Sequence, residues 1–196
     1  MRNLGLAEHR FPTAVEDMEA AMRYAFEHRV ELASGDVPVL AGGDSAGANL
    51  ATVATRRLHK AKTVHIAGNI LAYPCTDNGD AESLRRFPSP FLTAEDTSFF
   101  LSTYQPDPAA NRNPDFAPLY ADDLTLLPPT LLITAEHDII TEQAEAYGAK
   151  LAAAGVPVTA KRYPGMIHGF LTLDAFFEGA AGEAISTIAA FQPNNA

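Results

Sequence analysis

Cysteine is nearly absent from this sequence. Cys75 is the only one in 196 residues, so an intrachain disulfide is impossible and cysteine-rich zinc sites are excluded. Positive charge is scarce too. Fourteen Lys and Arg stand against 24 Asp and Glu, a formal net charge of -10, so nucleic acid or an anionic membrane surface would be repelled. No apolar run reaches the roughly 18 residues that a membrane-spanning helix needs. Residues 1–10 lack the apolar stretch of a secretory signal, which makes a cytoplasmic location the expectation. Fixed-period repeats and low-complexity tracts are missing as well.

What is present suffices for a core. The chain is 47% hydrophobic and 19% charged, which reads as one ordinary domain over residues 1–196. Short apolar runs at Val37–Gly42, His65–Tyr73, Thr130–Ala135 and Val156–Ala160 predict strands. The middle two are apolar on both faces, as central parallel strands are. Helical spacing fills the intervals. Ala14–Arg29 carries Val15, Met18, Met22 and Phe26 on one stripe, Ser45–Lys60 is rich in Ala, Thr141–Ala154 shows one apolar face, and Ala175–Phe191 closes the chain. The alternation predicts an α/β fold with a mainly parallel sheet flanked by helices. Residues 76–128 break the rhythm. They hold seven of the 14 prolines and one short helix, Thr93–Tyr104. An irregular stretch of that length is usually functional, so it reads as an excursion over one end of the sheet, near the site.

Gly43-Asp44-Ser45-Ala46-Gly47 follows the first predicted strand and opens the Ala-rich helix. A nucleophilic serine on a sharp strand-to-helix turn needs small neighbours, and Gly43, Gly47, Ala46 and Ala48 supply them. The alternative is a glycine-rich turn with Ser45 as a helix cap. A serine nucleophile needs a base, and the base an orienting carboxylate, carried on loops at the carboxyl ends of parallel strands. Of six histidines, His9 precedes the first helix, His28 and His59 sit near helix ends among charges and read as solvated, and His65 starts a strand at the wrong end of the sheet. His137 adjoins a strand end. His168 follows the last strand and leads into the last helix, which makes it the candidate base. Asp138 lies 93 residues after Ser45 and 30 before His168, the chain order expected of an α/β hydrolase. Glu136 is the rival carboxylate, and Asp44 reads as structural.

Gly-Asp-Ser-Ala-Gly-Ala-Asn-Leu at 43–50, Leu-Leu-Ile-Thr-Ala-Glu-His-Asp at 131–138 and Tyr-Pro-Gly-Met-Ile-His-Gly-Phe at 163–170 resemble the hormone-sensitive-lipase-type branch of the α/β-hydrolases. Residues 8–17 and 114–123 resemble further segments of that branch. The resemblance implies Ser45 as nucleophile, His168 as general base and acid, and Asp138 as its orienter, in hydrolysis of short-chain carboxylic esters through an acyl-enzyme. It implies no metal or organic cofactor. Ile139 and Thr141 stand where the family carries proline and arginine, which reads as a change in surface pairing.

The largest departure is at the start. Family members have a longer N-terminal part with a His-Gly-Gly loop that donates N–H groups to the oxyanion, and this sequence contains no His-Gly-Gly. Only the N–H of Ala46 is assignable, so reduced activity is expected. Without the family's early strands, Val37–Gly42 becomes an apolar sheet edge, a template for another chain, so the protein is expected to form a homo-oligomer, to pair with a missing partner or to aggregate. The competing readings are a non-catalytic remnant or binding module of the same fold, a piece of a full-length esterase, and a lyase with a similar site.

Overall fold

The computed structural model of the chain describes residues 8–33, 35–77, 89 and 91–193. The parts of the expected excursion at 78–88 and 90 lie outside the described residues, as does most of the 1–10 segment. Among the described residues four strands form one sheet in the order β1-β2-β3-β4. They are β1 (Leu40–Asp44), β2 (Gly68–Ala72), β3 (Thr130–His137) and β4 (Val158–Ile167), and all pairs are parallel. The helices are α1 (Thr13–Glu27), α2 (Arg29–Ala33), α3 (Ala46–Ala61), α4 (Ala94–Tyr104), α5 (Thr141–Ala153) and α6 (Asp174–Ala190).

The parallel sheet has a core on each face. Leu71 and Leu132 point to one side, with Leu58 of α3 and Tyr147 and Leu151 of α5. Leu131 and Ile133, neighbours of Leu132 in sequence, point to the other with Tyr163, Phe170 and Ala184 of α6. The period of two along β3 thus serves both cores, and this is why its apolar run is continuous. The buried face of α3 is mostly small, with Ala48, Ala51, Thr52, Ala54 and Thr55, so the helix lies close against the strands. Val15 and Met22 of α1 are buried over it, with Met18 and Phe26 partly so, as the stripe predicted.

Four expectations need correction. The first strand is Leu40–Asp44 rather than 37–42, because its pairing with Gly68–Ala72 sets the register and Pro38 has no N–H to donate. The second is Gly68–Ala72, shorter than 65–73, and Tyr73 leaves it at φ 35. The last strand begins at Val158 and runs on to Ile167. Among the described residues it is an edge strand, and it carries Lys161 and Arg162, so the apolar run under-reads it. Ile139 and Thr141 are 0% and 5% exposed. That departure from the family pattern therefore changes the interior, where Ile139 and Ile140 pack against Cys75 and Leu92.

The described part of the excursion is firmly attached. Helix α4 opens with a capping box in which Thr93 and Asp96 satisfy each other's backbone N–H, worth about 1 kcal/mol. Single 3₁₀ turns follow at Pro108–Ala110, Pro118–Tyr120 and Leu124–Leu126. Asn49 of α3 donates from Nδ2 to the carbonyls of Cys75 at 2.7 Å and Phe116 at 2.9 Å. The Gln143 side chain of α5 accepts from the N–H groups of Thr76 and Asp77, both at 2.7 Å. Among the described residues no helix is long and apolar enough to cross a membrane.

Candidate active site

Ser45 sits at the junction of β1 and α3 with φ 51 and ψ -119, a strained conformation for a residue with a Cβ. The surroundings hold it there. Its N–H donates to the Ala72 carbonyl at 2.9 Å, and its own carbonyl accepts from Asn49 at 3.2 Å and Cys75 at 3.4 Å. Gly43 is required for this turn, since a Cβ there would lie 2.5 Å from the carbonyl carbon of Gly47. Gly47 is not, because a Cβ on it would meet open space. The expectation that both glycines relieve crowding therefore holds for Gly43 alone.

The carboxyl ends of β3 and β4 bring two more side chains to Ser45. The hydroxyl of Ser45 is 2.9 Å from Nε2 of His168, and Nδ1 of His168 is 2.7 Å from Oδ2 of Asp138. As a carboxylate, Asp138 can only accept, so Nδ1 carries the proton and Nε2 is left free to accept from the serine hydroxyl. The other carboxylate oxygen accepts from the Ile140 N–H at 3.0 Å, which fixes the plane of the group. Both partners are interior, with His168 6% and Asp138 4% exposed. The ring of Tyr73 meets His168 edge-on, centroids 4.9 Å apart. Burial, with the Asp44 carboxylate adding to it, pushes the Tyr73 phenol well above its ordinary value, so it stays neutral beside the imidazole. Asp44 itself lies exposed at the end of β1.

A cavity of about 360 Å³ opens over Ser45 and Ala46. Leu50, Leu92, Phe100, Leu101, Phe116 and Ile140 form much of its wall. Besides Ser45, the polar groups of the wall are the Tyr104 hydroxyl, buried without a hydrogen-bond partner among the described residues, and three side chains turned to backbone. Asn49 bonds the two carbonyls already named, Thr97 donates to the Thr93 carbonyl at 2.9 Å, and Cys75 makes a weak bond to the Asp77 carbonyl at 3.7 Å. Burial, followed by the nearby carboxylates of Asp77 and Asp138, pushes the Cys75 thiol up to about 12, so it behaves as a small neutral group. The N–H of Ala46, in the first turn of α3, has no acceptor within the helix. Among the described residues no group of three or more His, Cys, Asp or Glu is placed to hold a metal ion.

A family model described as the alpha/beta hydrolase fold matches residues 6–172. The chain belongs to the α/β-hydrolase family. The resemblance read from the motifs at 43–50, 131–138 and 163–170 thus extends through the fold. This α/β hydrolase is 35% identical over 190 residues to the carboxylic ester hydrolase LipN of Mycobacterium tuberculosis, a match that takes in 92% of this chain and 49% of LipN. It is 30% identical over 186 residues to the ethyl acetate hydrolase of Pseudomonas putida, covering 93% of this chain and 58% of that protein. Among solved structures, carboxyl esterase 2 of Tuber melanosporum superposes with a TM-score of 0.86 at 33% identity, over 91% of this chain and 61% of that one. The chain therefore spans about half the length of the curated relatives it matches.

Of the remaining sequence candidates, His137 is exposed and 3.9 Å from Glu136, and Glu136 accepts from the Gly165 N–H at 2.7 Å. His59 is not solvated as expected. Its Nε2 accepts from the Ile66 N–H at 2.9 Å and its Nδ1 faces the Leu126 carbonyl at 2.6 Å, so it bridges the ends of two loops. His28 caps α1 against the Tyr24 carbonyl, and His65 is exposed and stacked on His59. Residue-by-residue reading missed Asn49, Tyr73 and the wall contributed by α4. The apolar Phe100 and Leu101 were the available signal for the last of these.

Proposed function

We propose that this α/β hydrolase is a serine carboxylesterase that hydrolyses short-chain carboxylic esters through an acyl-enzyme. The observation that carries the reading is the continuous line of hydrogen bonds from Asp138 through His168 to Ser45, at 2.7 and 2.9 Å, ending at a serine that lines an apolar cavity. The relatives named for ester hydrolysis support the substrate class.

In this reading Ser45 Oγ attacks the ester carbonyl as His168 Nε2 takes its proton, and Asp138 steadies the imidazolium. The tetrahedral carbon then reforms its double bond, and the bond to the alcohol oxygen breaks as His168 returns the proton to it. Water, deprotonated by the same nitrogen, attacks the acyl-serine, and the acid leaves as Ser45 regains its proton. The Ala46 N–H is the oxyanion donor we assign. Loss of one such donor costs about 10²–10³ in turnover, so this stretch of chain, which has no His-Gly-Gly, is expected to be slower by that factor than a relative with both donors.

The reading is tested by hydrolysis of p-nitrophenyl acetate, with Ser45→Ala prepared in parallel. Turnover lost in the variant is the expected result. Equal rates in both proteins would sink the esterase reading and favour a non-catalytic remnant or binding module. The edge of β1, bonded to β2 on one side only among the described residues, carries exposed Leu40 and is preceded by exposed Val37, which supports a second proposal, that copies of the chain associate through it.

A further inference from the structure

The pairing of β3 with β4 holds an irregularity beside the site. Thr130 to Ala135 face Val158 to Tyr163 residue for residue, and the next pair is His137 with Ile167. Two steps along β3 thus match four along β4, and residues 164–166 bulge out opposite Glu136. Gly165 lies in the bulge at φ 71, between the paired positions, and Pro164 has no N–H to offer. The Gly165 N–H donates to the Glu136 carboxylate at 2.7 Å. Asp138 comes two residues after Glu136 and His168 three residues after Gly165, so this bond, with the pairing of His137 and Ile167 beyond it, ties the two strand ends just before the groups that must meet. Two basic side chains also stand near it, and Arg162 feels its charge, but neither hydrogen-bonds to it. Arg162 is taken up by Glu145 through both Nε and Nη2, and His137 stands 3.9 Å away.

We infer that Glu136 is a positioning residue, whose carboxylate closes the β4 bulge and so sets where His168 stands between Asp138 and Ser45. Its kinetic consequence rests on the esterase reading, whereas its geometric consequence does not. The test compares Glu136→Ala with Glu136→Gln, whose side-chain oxygen still accepts from Gly165. The side chain is 46% exposed, so both variants should fold, and circular dichroism checks this.

In Glu136→Ala, kcat for p-nitrophenyl acetate should fall about tenfold with KM within about twofold, and Glu136→Gln should recover most of the loss. A second readout needs no turnover. The low-field proton resonance of His168 Nδ1–H, observed by NMR on substrate-free protein, should persist in Glu136→Gln and shift or broaden in Glu136→Ala. An unchanged resonance in Glu136→Ala would overturn the inference. So would equal damage in both variants, which would point to the charge of Glu136 rather than its bond. If the unaltered protein shows no Ser45-dependent turnover, the esterase reading fails and the resonance alone decides the role of Glu136.

Discussion

Gly43 and Gly47 flank Ser45 symmetrically in the sequence, yet the turn asks different things of them. A methyl group on Gly43 would drive into the backbone of Gly47 and Ala48, whereas one on Gly47 would enter open space. Gly43→Ala is therefore expected to cost about 3 kcal/mol or more, since backbone rather than a mobile side chain must yield. Gly47→Ala, within a helix, should be neutral or stabilising by up to about 1 kcal/mol. Urea unfolding of the two variants side by side would check this, and equal losses would mean that the crowding at Gly43 is misread. The motif announces the serine but not which glycine matters. The meeting of Asp138 and His168 at Ser45 was legible because chain order and strand ends restrict the choice. The roles of Glu136 and His59 were not. Each depends on a partner brought in from another segment, Gly165 across a bulge for one and Leu126 across a loop for the other, and neither leaves a periodic trace in the sequence.

The elements show a similar division. Strand and helix positions followed from apolar runs and helical stripes, and the boundaries moved where pairing register, rather than hydrophobicity, decides where a strand begins. The excursion was legible as irregular and no further, because its order comes from bonds to α3 and α5. Arg56, 4% exposed, is the clearest of these. From α3 it pairs with Asp115 and, at 2.7 Å, with Asp123, on either side of the 3₁₀ turn at Pro118–Tyr120. Lys60 reaches Asp123 from the same helix at 3.1 Å but is 68% exposed. Arg56→Ala leaves two partly buried carboxylates without their main cation and should cost about 3–5 kcal/mol. Lys60→Ala should cost less than about 1 kcal/mol. Thermal melts of both variants test the contrast, and similar small losses would show that the excursion is held by its apolar contacts instead.

At the scale of the molecule the sheet has two free edges among the described residues, β1 and β4. The proposed association through β1 predicts sedimentation faster than a monomer for the unaltered chain. Leu40→Lys, which puts a charge on that edge, should restore a monomer. A monomer at every concentration of the unaltered chain would end the proposal.

The parallel order of the strands has one more consequence, and it concerns time. Ser45 and His168 are 123 residues apart in the chain, on opposite flanks of a sheet whose strands follow one another in sequence order. A chain emerging from synthesis can form β1, the turn, α3 and β2 early, with the serine already held in its strained posture by Ala72 and Cys75. Its hydroxyl remains an ordinary alcohol until β4 has been made and has zipped onto β3, because only then does an imidazole arrive. In the proposed esterase the nucleophile would thus be idle throughout assembly, and the last strand to dock would be the one that arms it.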